Sequence, residues 1–204
     1  MQVYEEKGEV QLPIFHGRIL KDYPGGIAVN PDQLGEGHDV IKKGTLLEVD
    51  YSARTAEIVK TAELQAGYDD SDDDHMKVLK NHEFQVGEYV GDGTNNAEIT
   101  SIDKSNSDYD KLEFGGTTEF GTDLSEGDIV EKYSDTDSAL ANTPNAVCGT
   151  EVLIKDKSAS NAMVSAVINA KVHESNLPYP LTTSSSGGSD SDHKGDLEPD
   201  ITFI

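Results

Sequence analysis

The sequence predicts an all-β protein, a small barrel or sandwich of short antiparallel strands with an extended N-terminal arm and a C-terminal tail. Three observations predict it. Short runs rich in Val, Ile, Leu and Tyr recur at close spacing, separated by Gly, Asn, Asp and Ser. A glycine followed by one polar residue and an apolar strand occurs three times, at Gly44-Thr45-Leu46, Gly87-Glu88-Tyr89 and Gly127-Asp128-Ile129. Such a glycine supplies the positive φ with which a tight turn feeds directly into a strand. Finally, only 35% of the 204 residues are hydrophobic, 6% are aromatic and Trp is absent. The core must therefore be thin, which suits short-stranded sheets or subunits that share burial with partners.

In chain order, Val10 to Leu20 is apolar but contains Pro13, which cannot donate to a ladder and marks an edge strand or extended arm. Tyr23-Pro24-Gly25-Gly26 is a turn before the short run Ile27-Ala28-Val29. Leu46–Tyr51 and Ala56–Lys60 form a predicted hairpin across Ser52-Ala53-Arg54-Thr55. Strands are also expected at Met76–Leu79, Ala97–Ile102, Lys111–Phe114 and Glu151–Lys155. The turn formers Asp103–Asp110 separate the middle two. Ser138-Ala139-Leu140-Ala141 suits a helical turn. Asn161–Val172 fits either a helix or a strand, and alternation accounts for more of its residues: Ala162, Val164, Ala166, Ile168, Ala170 and Val172 share one face. Residues 1–180 therefore read as one β-rich domain, with 76–135 as its central module and 1–20 as a possible arm. Residues 181–204 are a Ser/Gly/Asp-rich tail that cannot offset its own ordering entropy over Thr182–Asp196. The tail ends in an apolar hook, Ile201-Thr202-Phe203-Ile204, which implies that another chain holds it down.

The charge balance is decisive about partners. With 39 acidic and 16 basic residues the formal charge is −23. Such a surface repels phosphate backbones and anionic lipid, so nucleic-acid and membrane partners are not expected. It suits a basic partner and keeps crowded copies apart. Cys148 stands alone, which excludes an internal disulfide and favours a reducing folding compartment. Neither a signal-peptide pattern nor an apolar run of about 18–20 residues occurs, so a soluble, cytoplasmically made chain is expected.

Little in the chain suggests catalysis. Asp70, Asp72 and Asp74 have the alternating spacing that opens a calcium loop, but the turn glycine is missing and Asn81 stands where the bidentate Glu belongs. They are weak metal candidates beside the simpler reading of a solvated acidic loop. The six histidines show no ligand spacing, and no nucleophile elbow or phosphate cradle is present. No enzyme activity and no cofactor are expected. The partner-binding candidates are instead apolar residues of the two arms: Leu12, Ile14 and Phe15, and Ile201, Phe203 and Ile204.

Several motifs carry a resemblance. Lys80–Val90, Ala97–Asp103, Asp108-Tyr109-Asp110 and Glu126-Gly127-Asp128, with Lys43-Gly44-Thr45-Leu46 and Ser175–Tyr179, resemble head-fibre or head-decoration proteins of tailed bacteriophages. The resemblance covers the middle and end of the chain. It implies a non-enzymatic virion protein, made in the host cytoplasm and bound to the outer capsid surface. Its partner would be the major capsid protein, and its own state a homo-oligomer, with a trimer favoured. The other readings are a β-rich adhesion or carbohydrate-binding module and a small hydrolase.

Overall fold

The computed structural model describes residues 13–69, 74–92, 95–115, 123–134, 140–154, 162–182, 192–197 and 200–204. The expected all-β class holds. The strands are β1 (Lys21–Asp22), β2 (Ile27–Val29), β3 (Val40–Ile41), β4 (Leu46–Asp50), β5 (Thr55–Ile58), β6 (Thr61–Glu63), β7 (His75–Leu79) and β8 (Tyr89–Gly91). They continue with β9 (Asn96–Asp103), β10 (Tyr109–Phe114), β11 (Ile129–Tyr133), β12 (Ala146–Cys148), β13 (Val152–Leu153), β14 (Ala162–Val164), β15 (Ala166–Val172) and β16 (Ile201–Phe203). One short helix, α1 (His193–Leu197), precedes β16.

Among the described residues two closed sheets stand side by side, and β13 pairs separately with β3. The larger runs β1-β15-β12-β4-β5-β2-β14. Because β14 and β15 are one strand bent at Ser165, pairing with β2 before the bend and with β12 after it, the ring closes. The smaller sheet runs β6-β11-β8-β9-β10-β7, and the antiparallel bridge Leu64–Val78, with Gln65 N–H on Lys77 C=O at 2.9 Å, joins its ends. Closure removes the exposed edges that an open sheet leaves unpaired. The chain crosses from one barrel to the other in two residues, Val59-Lys60, between β5 and β6.

The alternation of side chains explains the three apolar cores. Ile27, Leu47, Val49, Ile58, Cys148 and Val164 fill the first barrel. Met76, Val78, Phe84, Val90, Ile99 and Leu112 fill the second. A third layer covers the outer face of the first barrel: Leu46, Val147 and Val167 alternate with inward neighbours and meet Phe15, Leu197, Ile201 and Phe203. Strands covered on both faces need consecutive apolar residues, which is why Leu46-Leu47, Ala146-Val147-Cys148 and Ala166-Val167 break simple alternation. The predicted strand is present over Ala162–Val172, with Asn161 outside the described residues, but its expected single face is divided: Ala162, Val164, Ala166 and Ile168 pack in the first core, and Ala170 and Val172 in the third.

The three predicted glycine turns share one construction. Gly44, Gly87 and Gly127 have φ of 90°, 88° and 89°, and each sits third in a turn closed by Thr45 N–H on Lys42 C=O, Glu88 on Gln85 and Asp128 on Ser125. This is the position where a type II turn demands positive φ. Each glycine N–H then bonds a strand carbonyl, of Cys148, Ile99 or Leu64, whose own N–H returns to the residue after the glycine. The same device launches β4 in one barrel and β8 and β11 in the other.

Two expectations fail. Leu140 does not turn into a helix: it bridges Tyr133 in extended form, and Ala141 N–H bonds Lys132 C=O at 3.0 Å, while Ser138 and Ala139 lie outside the described residues. Nor is the end of the tail without structure. His193–Asp196 belong to α1, and β16 pairs in parallel with β15 through Ala170–Ile201, Lys171–Thr202 and Val172–Phe203. The partner that holds the hook is this chain's own sheet. The N-terminal stretch is the edge that Pro13 implied: Phe15 bridges Val172, and Leu20 N–H bonds Asn169 C=O at 2.9 Å.

Candidate partner-binding surface

The loop joining β7 to β8 holds the two barrels together. Glu83 in this loop is completely buried, and one oxygen accepts from Gly35 N–H at 2.6 Å and His38 Nδ1 at 2.9 Å. Its other oxygen accepts from the Tyr179 hydroxyl. One carboxylate therefore ties the second barrel to the 31–39 loop of the first and to the run after β15. Burial alone would push its carboxyl up, but these three hydrogen bonds outweigh it and hold it below its ordinary value. Burial and the adjacent carboxylate push the Tyr179 phenol far up, so it stays a donor. Two residues on, Gln85 Nε2 donates to the carbonyls of Asp32 and Leu34 at 2.7 and 2.6 Å.

Further charged groups line the seam. Lys60, buried where the chain crosses between barrels, meets Glu88 at 2.7 Å, and Lys132 meets the same oxygen at 3.1 Å. Desolvation pulls the Lys60 ammonium down, and Glu88 offsets part of this. His82 is also buried: its Nδ1 accepts from Phe84 N–H at 3.2 Å, and its Nε2 lies 3.4 Å from Asp110, close but unaligned for a hydrogen bond. Burial pulls its imidazole down to about 4, against the opposing effect of Asp110. Because Nδ1 is spent as an acceptor, the neutral ring carries its proton on Nε2. Lys80 closes the group with a 2.5 Å contact to Asp110.

Beside this seam lies an open cleft of about 680 Å³. Leu177, Pro178, Pro180 and Leu181 form one wall, while Leu79 and Ile204 stand exposed at its margin. The size and the mixed lining suit a protein segment or small ligand.

The sequence candidates fall unevenly on this frame. Phe15, Ile201 and Phe203 are buried in the third core. Ile14 is half-buried beside them, and Ile204 is exposed at the cleft. Leu12, Asp70 and Asp72 lie outside the described residues. Asp74 faces solvent and bonds His75 Nδ1 at 2.7 Å, which lowers its carboxyl through that hydrogen bond. Among the described residues, no group of three or more His, Cys, Asp or Glu side chains is placed to hold a metal ion. Burial pushes the Cys148 thiol up to about 11, the reverse of an activated nucleophile.

What sequence reasoning missed was the charged seam itself. Its signal was present: Lys60 interrupts the apolar run Ile58–Ala62, and His82-Glu83 stand directly before the buried Phe84. A charge inside an apolar run marks either a surface turn or a buried pair, and only the fold decides which. Compared with known proteins, the chain matches no family model, no curated protein and no solved structure.

Proposed function

We propose that this protein is a structural component of a virion, decorating and stabilising the outer surface of a tailed-phage capsid by binding the lattice of the major capsid protein. The observation that carries the reading is a locked acidic scaffold bearing isolated exposed apolar side chains. Leu20, Val86, Leu153, Met163 and Ile204 are each more than half exposed, at 72%, 59%, 57%, 56% and 52%. On a chain of charge −23, covering them against a second surface would remove apolar area from water. The charged groups at the seam are engaged with one another inside the molecule, where they hold shape. Homo-oligomerisation, with a trimer favoured, would align these side chains as a repeated array matched to a lattice.

The test uses purified shells lacking the protein. The full chain should co-sediment with them to a saturating stoichiometry and raise the temperature at which they open. Sedimentation equilibrium of the free protein should give a multiple of 22.0 kDa, with three copies expected. Absence of saturable binding to shells would overturn the proposal, and a purely monomeric mass would overturn its trimeric form.

A further inference from the structure

A second groove, of about 660 Å³, lies away from the cleft, where β1, the turn after β4 and the C-terminal segment meet. Its floor is aromatic. Tyr23 and Tyr51 lie 5.1 Å apart with their rings tilted by 43°. Each ring is fixed by its own hydroxyl: Tyr23 donates to the Tyr51 carbonyl at 3.1 Å, and Tyr51 donates to the Asn145 carbonyl at 3.4 Å. Three lining side chains are aspartates, Asp22, Asp196 and Asp200, against one lysine, Lys21.

The aspartates come from separate places. Asp22 stands on edge strand β1, Asp196 on α1, and Asp200 immediately before β16. Their field is felt locally. Burial, then Tyr23 and Asp200, push the Tyr51 phenol up. Burial, then Asp192 and Glu131, push the Asp196 carboxyl up against the opposing effect of His193. Burial leads in both shifts, and Asp200 is the groove carboxylate close enough to act on Tyr51. The chain already supplies one at the margin: the Arg54 guanidinium sits 5.7 Å from the Tyr23 ring centre, held by the Pro24 carbonyl at 3.0 Å.

We propose that this groove receives an arginine side chain presented by a basic protein partner. A guanidinium matches both parts of the lining, because it stacks on an aromatic face and bonds carboxylates with two parallel donors. An ammonium is also drawn to a ring face but lacks the planar fork that bonds a carboxylate with two parallel donors. Charge complementarity selects the occupant: an acidic chain with an aromatic-floored, aspartate-lined groove fits a basic polypeptide. The inference stands whether or not that polypeptide belongs to a capsid.

The probe is N-acetylarginine amide, titrated into the full chain while the tyrosine ring resonances are followed by NMR. A small monovalent probe avoids the diffuse attraction that any polycation feels for this surface. Saturable shifts confined to Tyr23 and Tyr51 are expected, weakened about fivefold by Asp200→Asn and by Asp22→Asn, the size of one exposed ion pair. Asp108→Asn, on an exposed turn of the other barrel, should leave the titration unchanged. The neutral citrulline analogue should bind far more weakly. Equal binding of the citrulline analogue, equal weakening by Asp108→Asn, or no saturable shift at either ring would each overturn the proposal. Unchanged melting of the two groove variants separates lost binding from lost fold.

Discussion

His82 and Glu83 are neighbours in sequence with opposite pH behaviour. The unfolded chain's histidine titrates near 6.5, while burial holds His82 down to about 4. Between those values the unfolded state binds a proton that the folded state refuses. Stability therefore falls as pH is lowered through that window, by roughly 3 kcal/mol at most. Glu83 works lower: its depressed carboxyl contributes stability at neutral pH that is lost only as pH falls below the ordinary range through the folded value. Urea unfolding at about pH 7 and about pH 4.5 should show the first loss, and His82→Gln should remove much of it. Replacing Glu83 by Ala orphans three donors in a closed seam and should cost about 3–5 kcal/mol at pH 7. Glu83→Gln keeps the oxygen shared by Gly35 and His38 and turns its amide NH2 toward the Tyr179 hydroxyl, which can accept instead of donate, so it should cost less. A pH profile unaltered by His82→Gln would show that the ring is not the titrating group.

The glycine turns and the C-terminal strand carry predictions at the level of elements. An added Cβ at Gly87 or Gly127 meets nothing within 4 Å, so alanine there pays only for positive φ, about 1–2 kcal/mol. At Gly44 the same Cβ would lie 2.9 Å from both Ile14 Cδ1 and Pro178 Cδ. Gly44→Ala should therefore be the most damaging of the three, and equal denaturation midpoints would refute the packing argument. Removing residues 198–204 strips Ile201 and Phe203 from the third core and should cost about 3–6 kcal/mol, read by thermal melting. A hook held down by another chain, as its apolar sequence implies, would serve assembly first. Its burial now makes folding the first casualty. The glycine turns, the β4–β5 and β9–β10 hairpins and the edge role of Pro13 were legible because each rests on a local signal: positive φ, period-two alternation or a missing donor. The bend at Ser165 and the docking of β16 were not legible. Each depends on which distant strand lies alongside, and short-range pattern carries no record of that.

At the scale of the whole molecule, the Glu83 carboxylate with its three donors and the two Gln85 hydrogen bonds join the two barrels. Unfolding should consequently be one transition, with far-ultraviolet and tyrosine signals coincident, and Glu83→Ala should split them if either barrel survives alone. The candidate site was less legible than the fold. The apolar arm residues were expected to meet a partner. For Phe15, Ile201 and Phe203, though, the contact is internal. An apolar side chain in a terminal segment reads the same whether its own sheet or a neighbour's covers it. The proposal of capsid decoration rests on what remains exposed once those residues are covered. Its most direct test is image reconstruction of intact particles from the source, at a resolution that traces strands. The account predicts paired barrels on the outer shell at fixed lattice positions, with exposed residues such as Leu153 or Met163 against the major capsid protein. Particles whose outer surface carries no density for this chain would contradict it.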